Sequence, residues 1–289
     1  MVARRRRNGE KAMILVTGAS GTVGSEVVKA LGGGGARVRA AYRTRPQKVP
    51  KGVESVALDY DRPETVRPAL KDVETLFLLS NTVDVERTVV DEARKAGVKR
   101  VVKLSVLRAE DEAFTFARWH RGVEKYIEAS GLLWTFLRPN GFMQNVVTYM
   151  SETIRKESAL YASAGNGATS HVDARDIGAV GAKVLTESGH EGKAYELTGP
   201  VALTYGQIAE SLTAALGRPI RYVPISHAQY KQAAMAAGTH EGYADALVEL
   251  SRYYEEGHAA RVSPAVRQLT GRDPIPFAQF ARDYADKLR

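Results

Sequence analysis

Residues 13–31 read MILVTGASGTVGSEVVKAL, and the order of residue types in that stretch decides the fold. Met13 to Thr17 is a short apolar, β-branched run, while Val27, Val28 and Leu31 recur at helical spacing. Between them lie Gly18, Gly21 and Gly24, spaced by three. A strand, a glycine loop and a helix in that order make the arrangement that cradles a dinucleotide pyrophosphate. Gly18 permits the tight turn, Gly21 lets the backbone approach the phosphates, and Gly24 lets the helix pack against the strand. The pyrophosphate then rests on backbone N–H groups at the positive end of the helix, with Ser20, Thr22 and Val23 beside it.

Outward from this loop the pattern repeats. Gly32 to Gly35 end the helix, and ARVRAAYR (36–43) reads as a second strand. The pattern predicts strands at 53–58, 74–79, 98–104 and 132–137, with helices at 62–71, 84–96 and 112–130 between them. Strands alternating with helices require right-handed crossovers, so the fold class is α/β, a Rossmann-type doubly wound parallel sheet over residues 13–140. Beyond residue 140 the rhythm loosens. A helix is expected at 142–157, short strands at 159–162 and 193–198, and helices near 204–216, 226–237, 243–256 and 277–288. Asp173 or Asp176 is placed to cap a helix. No linker rich in Pro, Gly or Ser intervenes, so residues 141–289 read mainly as a smaller α/β substrate-binding cap. Some of its segments are expected to return to the sheet, and the cap to close a cleft over the carboxyl ends of the strands.

Composition excludes several classes. The 289 residues are 44% apolar and 26% charged, as in an ordinary globular protein. No apolar run is long enough to span a bilayer, and the start has no signal-peptide pattern, so a cytoplasmic protein with no membrane partner is expected. There is no cysteine, which removes disulfides and thiolate chemistry, and no metal site is read from the sequence. The net charge is +8, but residues 1–12 alone hold five Lys/Arg against one Asp/Glu. That stretch reads as a solvated, disordered tail, with Arg4 to Arg7 touching phosphates non-specifically at most and no specific nucleic-acid partner.

Cofactor choice is read at the end of the second strand. An acidic residue there accepts from the ribose hydroxyls of NAD, whereas AYRTRPQK (41–48) offers Arg43, Arg45 and Lys48. Arg43 suits a 2′-phosphate, which makes NADP(H) the preferred cofactor and NAD(H) the second choice.

The glycine loop, DYDRPETV (59–66), LRPNGFMQN (137–145) and HVDARDIGAV (171–180) together resemble the NmrA-like group of atypical short-chain dehydrogenase/reductases. Within it the chain is similar to bacterial triphenylmethane reductases and NAD(P)H:quinone oxidoreductases. The resemblance implies that Asp59 and Tyr60 border the adenine and that Leu79, Ser80 and Asn81 line the adenosine side. It also implies that Ser105 ends the strand beneath the nicotinamide, while Pro139, Asn140 and Phe142 flank the carboxamide.

In the wider family a Tyr and a Lys four residues later share a helix face and supply the proton that accompanies the hydride. FARWHRGVEK (116–125), aligned on Glu124, puts Phe116 at the tyrosine position and His120 at the lysine position. None of the thirteen tyrosines has a lysine four residues on. His120 is the candidate for ribose contact and, near neutrality, for proton donation. Asn140 is the second polar candidate for a catalytic role. Trp119, Phe142, Met143 and Tyr149 are expected to form a flat apolar substrate pocket, with ordinary core packing as their plainer reading.

A site without a strong acid suits acceptors that need none. A quinone takes its proton from water, and a triarylmethyl cation is neutralised by hydride itself. The expected function is therefore NADPH-dependent hydride transfer to a quinone or other planar, dye-like electrophile. The alternatives are an NADP(H)-binding redox sensor that regulates a partner, or a reductase of imines or ring carbons. A homodimer is compatible with any of the three.

Overall fold

The computed structural model describes residues 12–44, 49–80 and 82–289. Arg4 to Arg7, with the rest of the expected tail up to residue 11, and Arg45, Lys48 and Asn81 lie outside the described residues.

Nine strands are described: β1 (Met13–Val16), β2 (Arg37–Tyr42), β3 (Val53–Ala57), β4 (Val73–Leu78), β5 (Arg100–Leu104), β6 (Leu133–Pro139), β7 (Ala159–Ala162), β8 (Lys193–Leu197) and β9 (Arg221–Pro224). Seven form one sheet in the order β3-β2-β1-β4-β5-β6-β8. The pairings β2–β3, β1–β2, β1–β4 and β4–β5 are all parallel. The order reverses between β1 and β4, the switch point at which open α/β sheets bind ligands beyond their carboxyl ends.

The chain divides into two compact units. The first holds residues up to Leu104, then Val123–Phe136 and Gly181–Lys193. Its β1, β4 and β5 read as apolar runs because parallel strands are covered on both faces. Leu15, Leu76, Leu78, Val101 and Phe136 form its core with Ile127 and Val90. Its helices include α1 (Thr22–Gly32), α2 (Val66–Ala69) and α3 (Asp84–Ala96). The helix expected over 62–71 is instead a 3₁₀ turn, Pro63–Thr65, followed by the single turn of α2. Pro68 has no N–H to give to the preceding turn, which accounts for the interruption.

The second unit holds Ser105–Gly122, Leu137–Val180 and Ala194–Arg289. Residues 105–122 thus fall with the second unit and residues 181–193 with the first. Helix α4 (Thr115–Ala129) contributes its first half to this unit and its second half to the other. Here α5 (Gln144–Glu157), the first half of α6 (Ala174–Thr186), α7 (Tyr205–Leu216), α8 (His227–Ala236) and α9 (Glu241–Glu255) accompany β7 and β9. Asp173 Oδ1 accepts from Arg175 N at 2.8 Å and so caps α6. Asp176 Oδ2 accepts from Ile275 N at 2.7 Å, tying the chain's C-terminal segment to α6. Thr204 with Gln207 and Ser226 with Gln229 make capping boxes at the starts of α7 and α8. Ile154, Leu160, Leu212, Phe280 and Leu288 are central to its core.

Strand β9, unforeseen from sequence, pairs in parallel with β7. It is only four residues long and ends on Pro224, too short for alternation to show. The helix expected over 277–288 breaks at Tyr284 into Phe277–Asp283 and Ala285–Leu288. No helix among the described residues is long and apolar enough to cross a membrane.

Candidate functional site

In the first unit the glycine loop has the geometry its spacing predicts. Gly18 has φ +61°, a conformation that an L side chain resists. A Cβ on Gly24 would lie 2.1 Å from Gly18 O, so α1 can approach the β1 turn only without a side chain there. Gly21 N donates to Gly18 O at 2.9 Å and closes the turn. Gly21 is the N-cap of α1, with no side-chain capping bond and no acidic residue in the first turn. Ser20, Gly21 and Thr22 are exposed, whereas Val23 is buried beneath them. The positive end of α1 therefore carries no anion of its own, and the cradle fits a pyrophosphate.

Thr17 locks this loop to the neighbouring strand. Its Oγ1 donates to Leu79 O at 2.9 Å and accepts from Leu79 N at 2.8 Å. Tyr60 also donates to Leu79 O, at 3.1 Å, and burial pushes its phenol up to about 12. Tyr60, Leu79 and the Gly18 turn are thus brought together. Ser80 Oγ donates to Thr82 O at 2.7 Å and to Glu86 Oε1 at 3.1 Å. Behind it lies a feature the sequence does not single out, a fully buried ion pair between Lys103 and Glu86. A lysine inside VVKLS was the available signal, since a charge in a central strand demands a partner.

Arg43 differs from its sequence reading in one respect. Carboxylates do stand beside it: Nη2 donates to Asp61 Oδ2 at 2.7 Å, and Nε lies 3.5 Å from Asp59 Oδ1. Both come from the segment after β3, which pairing with β2 brings alongside. Arg43 and Asp61 are largely exposed, and such pairs are worth only about 0–1 kcal/mol, little enough for a phosphate to displace the carboxylate.

In the second unit Ser105 is buried, and its N donates to Leu137 O at 2.7 Å. Asn140 is buried and committed to structure. Its Nδ2 donates to Ser170 Oγ and to Ala259 O, both at 2.9 Å, and its Oδ1 accepts from Gly141 N at 2.9 Å. That makes Asn140 a positioning residue for the Pro139–Phe142 loop rather than a donor free for substrate. Phe142 is half-buried and bridges to Val172. Met143 is 2% exposed and packs in the core, so it leaves the expected pocket for its plainer reading.

The other pocket residues belong to an aromatic array. Phe116 meets Trp119 edge-on at 5.3 Å and Tyr243 at 5.1 Å, and Trp119 lies 6.2 Å from Tyr243. Phe116 is thus a wall residue, and His120 follows one helical turn later on the same face of α4. Tyr149, 77% exposed, stands near enough to Tyr230 and Tyr243 to raise their phenol pKa values alongside burial. Tyr230 in turn lines a small cavity of about 60 Å³ with Met150, Ser163, Tyr205, Ser251 and Tyr254. No part of this cavity was foreseen, because its residues come from five separated segments.

His171 joins the cavity wall to the Pro139–Phe142 loop. Its ring lies 5.9 Å from Tyr205 and 6.4 Å from Tyr254, and its Cδ2 would be 3.1 Å from a Cβ on Gly141. Burial holds its pKa down to about 4, against a smaller opposing effect of the Thr169 backbone. The depressed value means that the unfolded chain binds a proton where the folded one does not. His171 therefore contributes stability above pH about 6.5 that drains away as pH falls toward about 4, roughly 3 kcal/mol in all. Urea unfolding across that window is expected to show the loss, and His171→Phe to flatten it. An unchanged slope in the variant would contradict the assignment.

No group of three or more acidic or histidine side chains able to hold a metal occurs among the described residues. Residues 10–270 match the family described as "NmrA-like family". The chain is 39% identical to an NAD(P)H azoreductase of Xenophilus azovorans, over 94% of this chain and 98% of that one. The NADPH-dependent quinone oxidoreductase QOR2 of Escherichia coli, solved with NADPH, superposes with a TM-score of 0.83 at 29% identity, covering 94% of this chain and 99% of that one. The triphenylmethane reductase of a Citrobacter species, solved with NADP(H), superposes with a TM-score of 0.80 at 26% identity, covering 95% and 100%.

Proposed function

We propose that this chain, which belongs to the NmrA-like family, is a reductase that delivers hydride from NADPH directly to a quinone or another planar electrophile. It is an oxidoreductase of the NAD(P)H-dependent quinone and azo reductase type, and its cofactor is NADP(H). The observation that carries the finer reading is an intact, uncapped glycine loop in a chain where no tyrosine is followed four residues on by a lysine; the resemblance puts Phe116 and His120 at those two positions. NADPH supplies the hydride when bound; the chain's own residues hold it and orient the acceptor. Gly18 to Gly24 receive the pyrophosphate, Arg43 the 2′-phosphate, and Tyr60, Leu79 and Ser80 the adenosine. The assignment of Ser105, His120, Pro139 and Phe142 to the nicotinamide end rests on the resemblance. The aromatic array of Phe116, Trp119 and Tyr243 suits a flat acceptor, for which positioning outweighs acid catalysis.

Anaerobic mixing with NADPH and a panel of quinones, azo dyes and triarylmethyl dyes, followed at the nicotinamide absorbance, tests the reading. Reduction well above the protein-free rate is expected for at least one of these classes. Tight NADP(H) binding with no acceptor reduced would replace it with the sensor reading.

Arg43→Ala is expected to weaken NADPH about tenfold, the effect of a lost charge-assisted pair of about 1.4 kcal/mol, and to leave NADH nearly unchanged. Calorimetric titration with both cofactors checks this, and equal losses would remove Arg43 from the phosphate site.

A further inference from the structure

We propose that the hydroxyls of Tyr205, Tyr230 and Tyr254 form a subsite for the acceptor's oxygen, holding a ring-conjugated carbonyl and the oxyanion it becomes. This rests on the reductase reading and identifies which residues would receive the acceptor. The three side chains line one cavity of the second unit. Each side chain is half-buried, desolvation raises each phenol's pKa, and each lies near another: Tyr205 is influenced by Tyr254 and Tyr230, and Tyr254 by Tyr230. None has a hydrogen-bond partner among the described residues. By contrast, the neighbouring Tyr161 gives its hydroxyl to Glu157 at 2.6 Å, and Ser163 and Ser251 satisfy each other at 2.6 Å.

Hydroxyls that line a cavity and meet no protein acceptor there leave their protons available to an occupant that accepts hydrogen bonds. The space of about 60 Å³ admits a polar group with a water or two, not a whole ring system. Tyr230 is also electrostatically close to Tyr243, a member of the aromatic array. Tyr254 reaches the Pro139–Phe142 loop, its hydroxyl lying 3.0 Å from where a Gly141 Cβ would be.

The phenols act as neutral donors. When a quinone takes up the hydride, NADPH becomes NADP⁺ and the quinone becomes a hydroquinone monoanion, its negative oxygen held by the hydroxyls. Water then supplies the proton that gives the neutral hydroquinone. A triarylmethyl cation forms a C–H bond, becomes neutral and draws no such help.

The test pairs binding with turnover. In calorimetry without cofactor, 1-naphthol, a ring bearing one oxygen that hydride does not reduce, is expected to bind the wild type and to bind Tyr205→Phe and Tyr254→Phe about three- to tenfold more weakly. With NADPH, the rate on 1,4-naphthoquinone relative to that on crystal violet is expected to fall about 100-fold in Tyr254→Phe. Equal 1-naphthol affinity in wild type and both variants, or an unchanged quinone-to-dye ratio, overturns the subsite while leaving the reductase reading standing. A wild type that binds 1-naphthol through these hydroxyls yet reduces no acceptor supports the subsite and overturns the reductase.

Discussion

Gly24→Ala is expected to weaken NADPH binding by about 10- to 100-fold, the equivalent of the roughly 1–3 kcal/mol typical of overpacking at a tight contact. The added Cβ would lie 2.1 Å from Gly18 O and 2.6 Å from Gly18 C. Both are backbone atoms, so no side chain can rotate away. Relief requires either moving the Gly18 turn, itself pinned at φ +61°, or lifting α1 off β1. Either shift displaces the N–H groups at the start of α1, where the proposed function puts the pyrophosphate. Gly32→Ala is the matched control, because nothing lies within 4 Å of its Cβ at the far end of the same helix. Titration of both variants with NADPH checks the pair. Undiminished affinity in Gly24→Ala would mean that α1 does not form the phosphate cradle.

Removing Lys103 alone is expected to cost about 3–5 kcal/mol of stability, because it strands a charge in the core. Glu86 is 1% exposed, and burial pushes its carboxyl above the usual range, against the pull of Lys103. Lys103 is itself fully buried and gives a further hydrogen bond to Leu104 O at 3.0 Å. Lys103→Met should therefore unfold at markedly lower urea. Lys103→Met with Glu86→Leu should recover most of the loss, because the pair is then replaced by apolar groups instead of being broken. Equal destabilisation in the single and double variants would show that the lost packing, not the stranded carboxylate, is responsible. The double variant also frees Ser80 from Glu86, so NADPH affinity should fall in it even where stability returns.

The fold was legible in residues 13–31 because a glycine triplet between a strand and a helix constrains both partners and the turn. The parallel sheet followed from the alternation of apolar runs and helical spacing, since buried parallel strands need no period-two pattern. Elements failed to show where the local chain contradicts its surroundings. Pro68 prevents one continuous helix over 62–71, and β9 is held by pairing with β7 rather than by its own residues.

The site divides the same way. The glycine loop is local, and its turn geometry follows the sequence reading, down to the need for glycine at 24. Arg43 was legible, but its carboxylate neighbours were not, because Asp59 and Asp61 arrive through the pairing of β2 with β3. Met143 reads as a pocket residue only until the packing of α5 carries it into the core. The tyrosine cavity was invisible, since Tyr205, Tyr230 and Tyr254 sit on three different helices and have no shared spacing.

Direct transfer from the nicotinamide is the central claim, and a labelled hydride tests it without recourse to rates. Crystal violet reduced anaerobically by the protein with NADPH deuterated at nicotinamide C4 should yield leuco dye carrying deuterium at its central carbon, a C–H bond that does not exchange with water. Leuco dye formed without that deuterium from either labelled face, or no leuco dye with this or any quinone, would contradict the account.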